Sequence, residues 1–448
     1  MPIDHWMTFG TFAEQRYFTY PSENTYTGVI INANMLAHAP SGLAAFLLEK
    51  TRKDFPYLID PLTHAFQHHV SILSDKEGEV KSSIKNLALA YGNVISQNVG
   101  INSITPELFN NENQLNEFVD SCIRFQDETL QQAIRDRDSF KYLQDFGELE
   151  NAPYALVAPY FFMNELTVDY WMPLIVRCAE RAINIKPRTN VKIFSAIVIS
   201  QGILLEDDLI GSIINYFKGV DIDGFLFWVD NLDETNTNRA VLTGLLKLAR
   251  GLRQGGRREL INLHGGYFSV ISSSPDFGES AFSGVSHGPE FGEFRPVIPV
   301  GGGIPVAKFY IKQLHSRVDY KESLRYFRQK GWLETTTSYY NNICSCTECH
   351  EVIKDNPANF TIYGLSETKI IKRGMGTVSR EFSLKETKEH CLKHYLNKKV
   401  EEYDFVMSSP RANLLAELKS SEEEFIKVAG METVSHLNLW HKVLSGKS

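Results

Sequence analysis

The chain has 448 residues, of which 43% are hydrophobic and 22% charged, and a net charge of −8. That length supports a large core, divided naturally into one domain of roughly 250–350 residues and an appendage. No run of about 18 apolar residues occurs, so no membrane-spanning helix is expected. The start, MPIDHWMTFGTFAEQ, lacks the basic and apolar regions of a signal peptide, and a cytoplasmic protein is expected.

In chain order, short apolar runs alternate with longer amphipathic stretches. The runs are 28-GVIINANM-35, 57-YLID-60, 154-YALVAPYFF-162, 193-IFSAIVIS-200, 224-GFLFWVD-230, 261-INLHGGYFSV-270, 281-AFSGVS-286 and 297-VIPVGGG-303. Each is nearly continuous in hydrophobicity, as in strands of a parallel sheet covered on both faces. Between them, 112-ENQLNEFVDSCIRFQDETLQQAIRD-136 and 205-LEDDLIGSIINYFKG-219 have helical periodicity. About eight strand–helix repeats predict an α/β fold, a (β/α)8 TIM barrel over residues 1–335. A doubly wound open sheet uses the same pattern. Residues 336–448 are expected to form a separate cysteine-bearing subdomain and C-terminal helices.

Barrel chemistry sits at the C-terminal ends of the strands. Polar residues recur there: Asp60, Pro159-Tyr160, Gln201-Gly202, Asp230-Asn231, His264-Gly265-Gly266 and Ser286-His287-Gly288. Several at equivalent ends predict a shared pocket.

The chain has six cysteines, and three of them fall in 344-CSCTECH-350. In a reducing compartment such cysteines favour metal ligands or buried, unliganded thiols over disulfides. Cys344, Cys346 and Cys349 form C-x-C-x2-C, and a tetrahedral zinc needs one further donor. The candidates are His350, His390, Cys391 and His394. The stretch 390-HCLKHYL-396 reads as a helix, and a closed Cys3His site would be structural.

This cysteine motif followed by H-x-L-x2-Y-L, after a barrel, resembles the zinc subdomain of the tRNA-guanine transglycosylase superfamily. The resemblance implies a structural Zn2+ on Cys344, Cys346, Cys349 and His390. The interval from His350 to Glu389 is longer than in that family, which predicts an inserted hairpin and leaves His394 as the alternative ligand. In 57-YLIDPLTHAFQ-67, Asp60 matches the family's strand-two Asp, and Phe66-Gln67 echoes its Phe-Gln. The Asp-Pro is more similar to the divergent branch that inserts 7-deazaguanines into DNA. The stretch 197-IVISQG-202 resembles the strand-four Val-Gln-Gly that reads the base.

The resemblance implies exchange of guanine in DNA or tRNA for a free 7-deazaguanine such as preQ0. A carboxylate attacks C1′, the purine leaves, and a second acid or base moves the proton. Asp60 is the expected acid/base. Gln201 and Gly202 would read the base, Tyr160 or Phe161 would stack on it, and His264 would contact phosphate or base, as would His287. The family's nucleophile lies on strand seven, but 282-FSGVSHG-288 has no Asp. Asp230 is the expected substitute, with Glu290, Glu293 and Asp233 as lesser candidates. A non-catalytic member of the superfamily, binding nucleic acid or a partner subunit, or forming a homodimer, is the other reading.

Charge distribution bears on the polymer. Lys308–Lys399 holds 17 Lys/Arg against 10 Asp/Glu, a net +7 that leaves −15 elsewhere. Local positive charge attracts a polyanion despite an acidic total. Arg250, Arg253 and Arg257, with Lys308, Lys312 and Arg317, are candidates for phosphate contacts. Cations at a helix C-terminus, favoured by its dipole, would look the same.

Overall fold

The computed structural model describes residues 2–18, 26–50, 56–137, 152–290, 293–299, 306–373 and 376–446. The chain forms two compact units, with the division at Pro299.

The first unit is a nearly closed parallel barrel. Its strands are β1 (Asp4–Phe9), β2 (Gly28–Asn32), β3 (Tyr57–Asp60), β4 (Ala155–Val157), β5 (Phe162–Met163), β6 (Lys192–Ile199), β7 (Gly224–Val229), β8 (Glu259–Asn262) and β9 (Gly284–His287). They run in the order β3-β2-β1-β9-β8-β7-β6-β4, all parallel, with β5 continuing β4 along β6. The seam between β3 and β4 is bridged where Tyr154 N donates to Tyr57 O at 2.8 Å. Between β4 and β5, residues 158–161 face only 195–197 of β6, a one-residue bulge that re-aims Tyr160.

Bulky and absent side chains interlock in the barrel interior. A Cβ on Gly28 would lie 2.4 Å from the Trp6 ring, and one on Gly224 would lie 2.7 Å from the Phe194 ring. Leu58, Val157, Ala196, Leu226, Trp228 and Ile261 complete a buried core. This is a packed interior, as barrels of eight strands have.

Three strand assignments change. The sequence 4-DHWMTF-9 is β1, although its Asp, His and Thr break the apolar run expected of a buried strand. The stretch 297-VIPVGGG-303 is not a strand over 297–299, and 300–303 lie outside the described residues. The run 261–270 is also divided: β8 ends at Asn262 and Tyr267–Ser272 is helical. The long expected helix is present as Glu112–Arg135.

The second unit begins after Pro299, so residues 306–335, expected with the barrel, belong to it. Its hairpin β10 (Lys308–Ile311) and β11 (Ser316–Asp319) packs against the helix Lys385–Ser408. Phe309 contacts Phe327 and Phe360 edge-on and stacks on His394. The expected insertion is the antiparallel hairpin β12 (Ser366–Arg373) and β13 (Gly376–Ser383). No helix among the described residues is long and apolar enough to cross a membrane.

Candidate active site and metal centre

A cavity of about 190 Å³ opens among the C-terminal ends of the barrel strands. It is smaller than the roughly 300–1,000 Å³ of pockets for drug-sized ligands and suits a single heterocycle. Asn32, Asp60, His64, Trp228, His264 and Arg295 contribute to its wall.

Asp60 ends β3 and is 4% exposed. Its Oδ1 accepts from the Tyr160 hydroxyl at 2.6 Å and from Leu62 N at 3.1 Å. Leu62 has φ +53°, a left-handed conformation costly for a branched side chain, in the turn that directs its N–H back to Asp60. Burial raises the Asp60 pKa above the ordinary carboxylate range, opposed by these two donors and by the Arg295 charge. The wall therefore carries an acid biased toward its protonated form.

The segment after Asp60 is tied to the β4–β5 bulge. Tyr160 N donates to Thr63 Oγ1 at 2.8 Å, and Thr63 Oγ1 donates to Tyr160 O at 2.5 Å. Gln67 clamps the backbone of Phe162, donating to its carbonyl at 3.0 Å and accepting from its N–H at 2.6 Å. The Phe-Gln echo in the sequence thus corresponds to a strap that fixes Tyr160 between Asp60 and His64. Tyr160 stacks on His64 and is fully buried, rather than offering a free face to a purine.

His64 and His264 flank Trp228 edge-on, with ring centroids 5.3 and 4.8 Å away. Burial lowers both imidazole pKa values to about 3, and the positive charge of Arg295 adds to the effect. Both rings are neutral at physiological pH.

Asp230 and Gln201 have other work. Asp230 Oδ1 accepts from Val297 N at 2.7 Å, while Asn231 N and Trp228 Nε1 donate to Arg295 O at 2.9 and 3.0 Å. The end of β7 thereby fastens residues 295–297 to the cavity wall. The Gln201 amide donates to the carbonyls of Asp230 and Asn231, and neither Gln201, Gly202 nor Asp230 lines the cavity. At Gly202 the space for a Cβ is filled by the Glu165 carboxylate.

His287 is buried, with Nε2 2.8 Å from His5 Nε2, and does not line the cavity. Asp233 caps Thr235, accepting from its N–H and hydroxyl at 2.9 and 2.7 Å. The buried carboxylate of this loop is instead Glu234, which accepts from the Ser269 hydroxyl at 2.5 Å. Burial pushes Glu234 up to about 7, and Glu293 adds to the rise.

Asn32, Asn34, His64, His68, Trp228 and Arg295 were not singled out from sequence. Asn32 and Asn34 carry the same signal as the other sites, polar residues closing an apolar strand. His64 and His68 follow Asp60 closely, but nothing local shows that their rings turn inward. Arg295 reaches the cavity through a loop with no strand pattern.

The basic candidates are dispersed. Arg250 and Arg253 lie at the C-terminal end of the helix Arg239–Arg253, directly before β8 begins. Arg257 lies in that connection. This places them at the end of the barrel opposite the cavity. Arg250 Nε donates to Glu279 O at 2.9 Å and Arg253 Nη1 to Ser280 O at 2.7 Å, with Arg253 buried. Those two guanidiniums cap carbonyls of the 279–280 loop. In the second unit Lys308 is exposed, Lys312 lies 3.6 Å from Glu401, and Arg317 covers the Tyr395 ring at 4.5 Å.

Cys344, Cys346, Cys349 and His394 are all buried, with donor atoms within 4.8 Å of one another. His394 Nδ1 lies 3.7 Å from Cys346 Sγ and 3.4 Å from Cys349 Sγ. A tetrahedral ion with ordinary Zn–S and Zn–N bonds sets such atoms about 3.6 Å apart. The group can therefore hold a metal ion. The fourth donor is His394, not His390, whose Nδ1 is engaged by the Glu348 carboxylate. Four residues separate the two histidines, one helical turn, so both project from one side of the helix. The surroundings decide: His394 Nε2 donates to Tyr310 O at 2.8 Å, leaving Nδ1 for the metal. The Tyr339 hydroxyl donates to Cys349 Sγ at 3.2 Å.

No protein-family model matches this chain, and no curated protein matches it.

Proposed function

We propose that this chain is a transglycosylase-like enzyme that exchanges guanine in nucleic acid, DNA in preference to tRNA, for a free 7-deazaguanine. The observation that carries the proposal is Asp60, a buried acid held by Tyr160 and Leu62 on the wall of a cavity of heterocycle size. A second carboxylate would take C1′ as protonated Asp60 gives its hydrogen to the departing purine. The entering base would then displace that carboxylate from C1′ and return a hydrogen to Asp60, so the enzyme ends unchanged. A target base in duplex must be flipped out to reach such a site. The Cys3His group would hold a structural Zn2+, since four protein donors leave no open position.

A second reading is favoured by a specific observation. Among the described residues lining the cavity, Asp60 is the one carboxylate. A glycosyl-enzyme intermediate needs a second, and the carboxylate of Asp230 is bound to Val297 N–H. A chain without that partner would bind a base or nucleic acid, alone or with another subunit, without exchanging it. The test is incubation of metal-replete protein with radiolabelled guanine or preQ0 and tRNA, duplex DNA or single-stranded DNA. Label entering one polymer supports the enzyme. Label entering none, with the free base still bound, supports the binding protein.

A further inference from the structure

The cavity wall has hydrogen-bonding capacity that Asp60 does not use. His68 is 7% exposed; its ring is held by a hydrogen bond to the Val297 backbone, and its Nε2 is buried with no partner of its own among the described residues. Asn34 Oδ1 is likewise buried and unpartnered. Both residues line the cavity. Buried polar atoms are nearly always paired, and each left alone costs roughly 1–3 kcal/mol. Two on one wall point to a ligand that completes them.

His64 adds a third group, and its neighbours set its tautomer. The Tyr160 hydroxyl has one hydrogen and gives it to Asp60 Oδ1 at 2.6 Å. The 3.1 Å contact between His64 Nδ1 and the Tyr160 oxygen then requires hydrogen on Nδ1. A neutral imidazole protonated at Nδ1 carries a lone pair on Nε2. Asp60, Tyr160 and His64 thus form a chain in which the accepting Oδ1 of Asp60 orders the phenol and the phenol orders the imidazole. Each partner comes from a backbone already fixed by the Thr63 and Gln67 contacts.

We infer that His64, His68 and Asn34 form the edge that reads the bound base, selecting a heterocycle by its N–H donors, with Tyr160 as the residue that positions His64. The inference rests on the base-binding reading of the cavity and moves recognition from Gln201, whose amide is spent on backbone carbonyls. Guanine and 7-deazaguanine present an amino group beside a lactam N–H. Hypoxanthine lacks the amino group. A site built to accept such a hydrogen discriminates strongly against an analogue without it.

Equilibrium dialysis of the full chain with labelled guanine, competed by 7-deazaguanine and by hypoxanthine, tests this. The expected result is that hypoxanthine competes at least about tenfold more weakly. His64→Gln and His68→Gln, each checked for wild-type thermal unfolding, should weaken guanine binding by about tenfold to a hundredfold. In 15N spectra of histidine-labelled protein, His64 should carry hydrogen on Nδ1 only, and Tyr160→Phe should mix its tautomers. A merely structural role for Tyr160 would leave that signature in place. Equal competition by hypoxanthine, or wild-type affinity in both histidine variants, overturns this inference and leaves the base-binding reading standing. Hydrogen on His64 Nε2 in the free protein overturns it independently of any ligand. Failure of the wild type to bind any of the three bases overturns both.

Discussion

The hydroxyl of Tyr160 donates to Oδ1 of Asp60 across 2.6 Å, although 100 residues separate them in sequence. The contact joins the end of β3 to the bulge after β4, where the barrel is closed by a single backbone bridge rather than a full ladder. One hydrogen bond therefore serves the fold and the site. Tyr160→Phe removes a donor from a buried carboxylate and should destabilise the barrel by about 1–3 kcal/mol. It should also raise the Asp60 pKa further, since a hydrogen bond to the ionised form is lost. Urea unfolding of wild type and variant, and the pH at which Asp60 ionises in carboxyl 13C spectra, check both effects.

Glu234 makes stability depend on pH. Its folded pKa, about 7, lies above its ordinary value of 4.5. Between those values the folded state holds more protons than the unfolded chain, so this contribution is fully present below pH 4.5 and is lost as pH rises through 7. The difference amounts to about 3 kcal/mol. Glu234→Gln, which cannot ionise, should therefore gain on the wild type by about that amount at pH 8 relative to pH 5. Urea unfolding of both proteins at the two pH values measures it. A pH-independent difference would mean that Glu234 ionises normally.

The Cys3His group, which can hold a metal ion, separates two histidines that sequence spacing leaves equivalent. The protein should contain one metal ion per chain, zinc when zinc is available. His394→Ala and Cys344→Ser should lose it, and His390→Ala should keep it. Elemental analysis after dialysis decides. Chelation should unfold the second unit, because closed four-ligand sites contribute directly to folding.

Arg253 and Arg257 should behave oppositely. Arg253 is buried, with its guanidinium on the Ser280 carbonyl, and Arg253→Ala should cost about 1–3 kcal/mol of stability. Arg257 is exposed, and Arg257→Ala should change stability by less than about 0.5 kcal/mol. Neither should alter nucleic-acid affinity by more than about twofold, as both lie at the end of the barrel away from the cavity. Filter binding with DNA at low salt, beside urea unfolding, tests the pair.

The barrel was legible because buried parallel strands are continuous apolar runs, and Tyr57–Asp60, Lys192–Ile199 and Gly224–Val229 all have that form. Strand β1 escaped because its His, Asp and Thr hide the run, and the 297–303 stretch took its place. The cysteine cluster was legible from local spacing alone. What sequence could not supply were partners distant in the chain: Val297 for Asp230, Tyr310 for His394 and Ser280 for Arg253. The first and last contacts redirect polar side chains that, read locally, suited a site, and the second turns His394 Nδ1 toward the cysteines. The reverse holds for His64, whose role is set by Tyr160.

The most direct test of the central claim is base exchange by wild type, Asp60→Asn and Asp230→Asn in parallel, with labelled preQ0 and the polymer the wild type prefers. Incorporation is expected from the wild type, with loss by a factor of at least about 10² in Asp60→Asn. Asp230→Asn should retain measurable exchange, reduced through the loosened 295–297 segment. Full exchange by Asp60→Asn would exclude Asp60 as the acid.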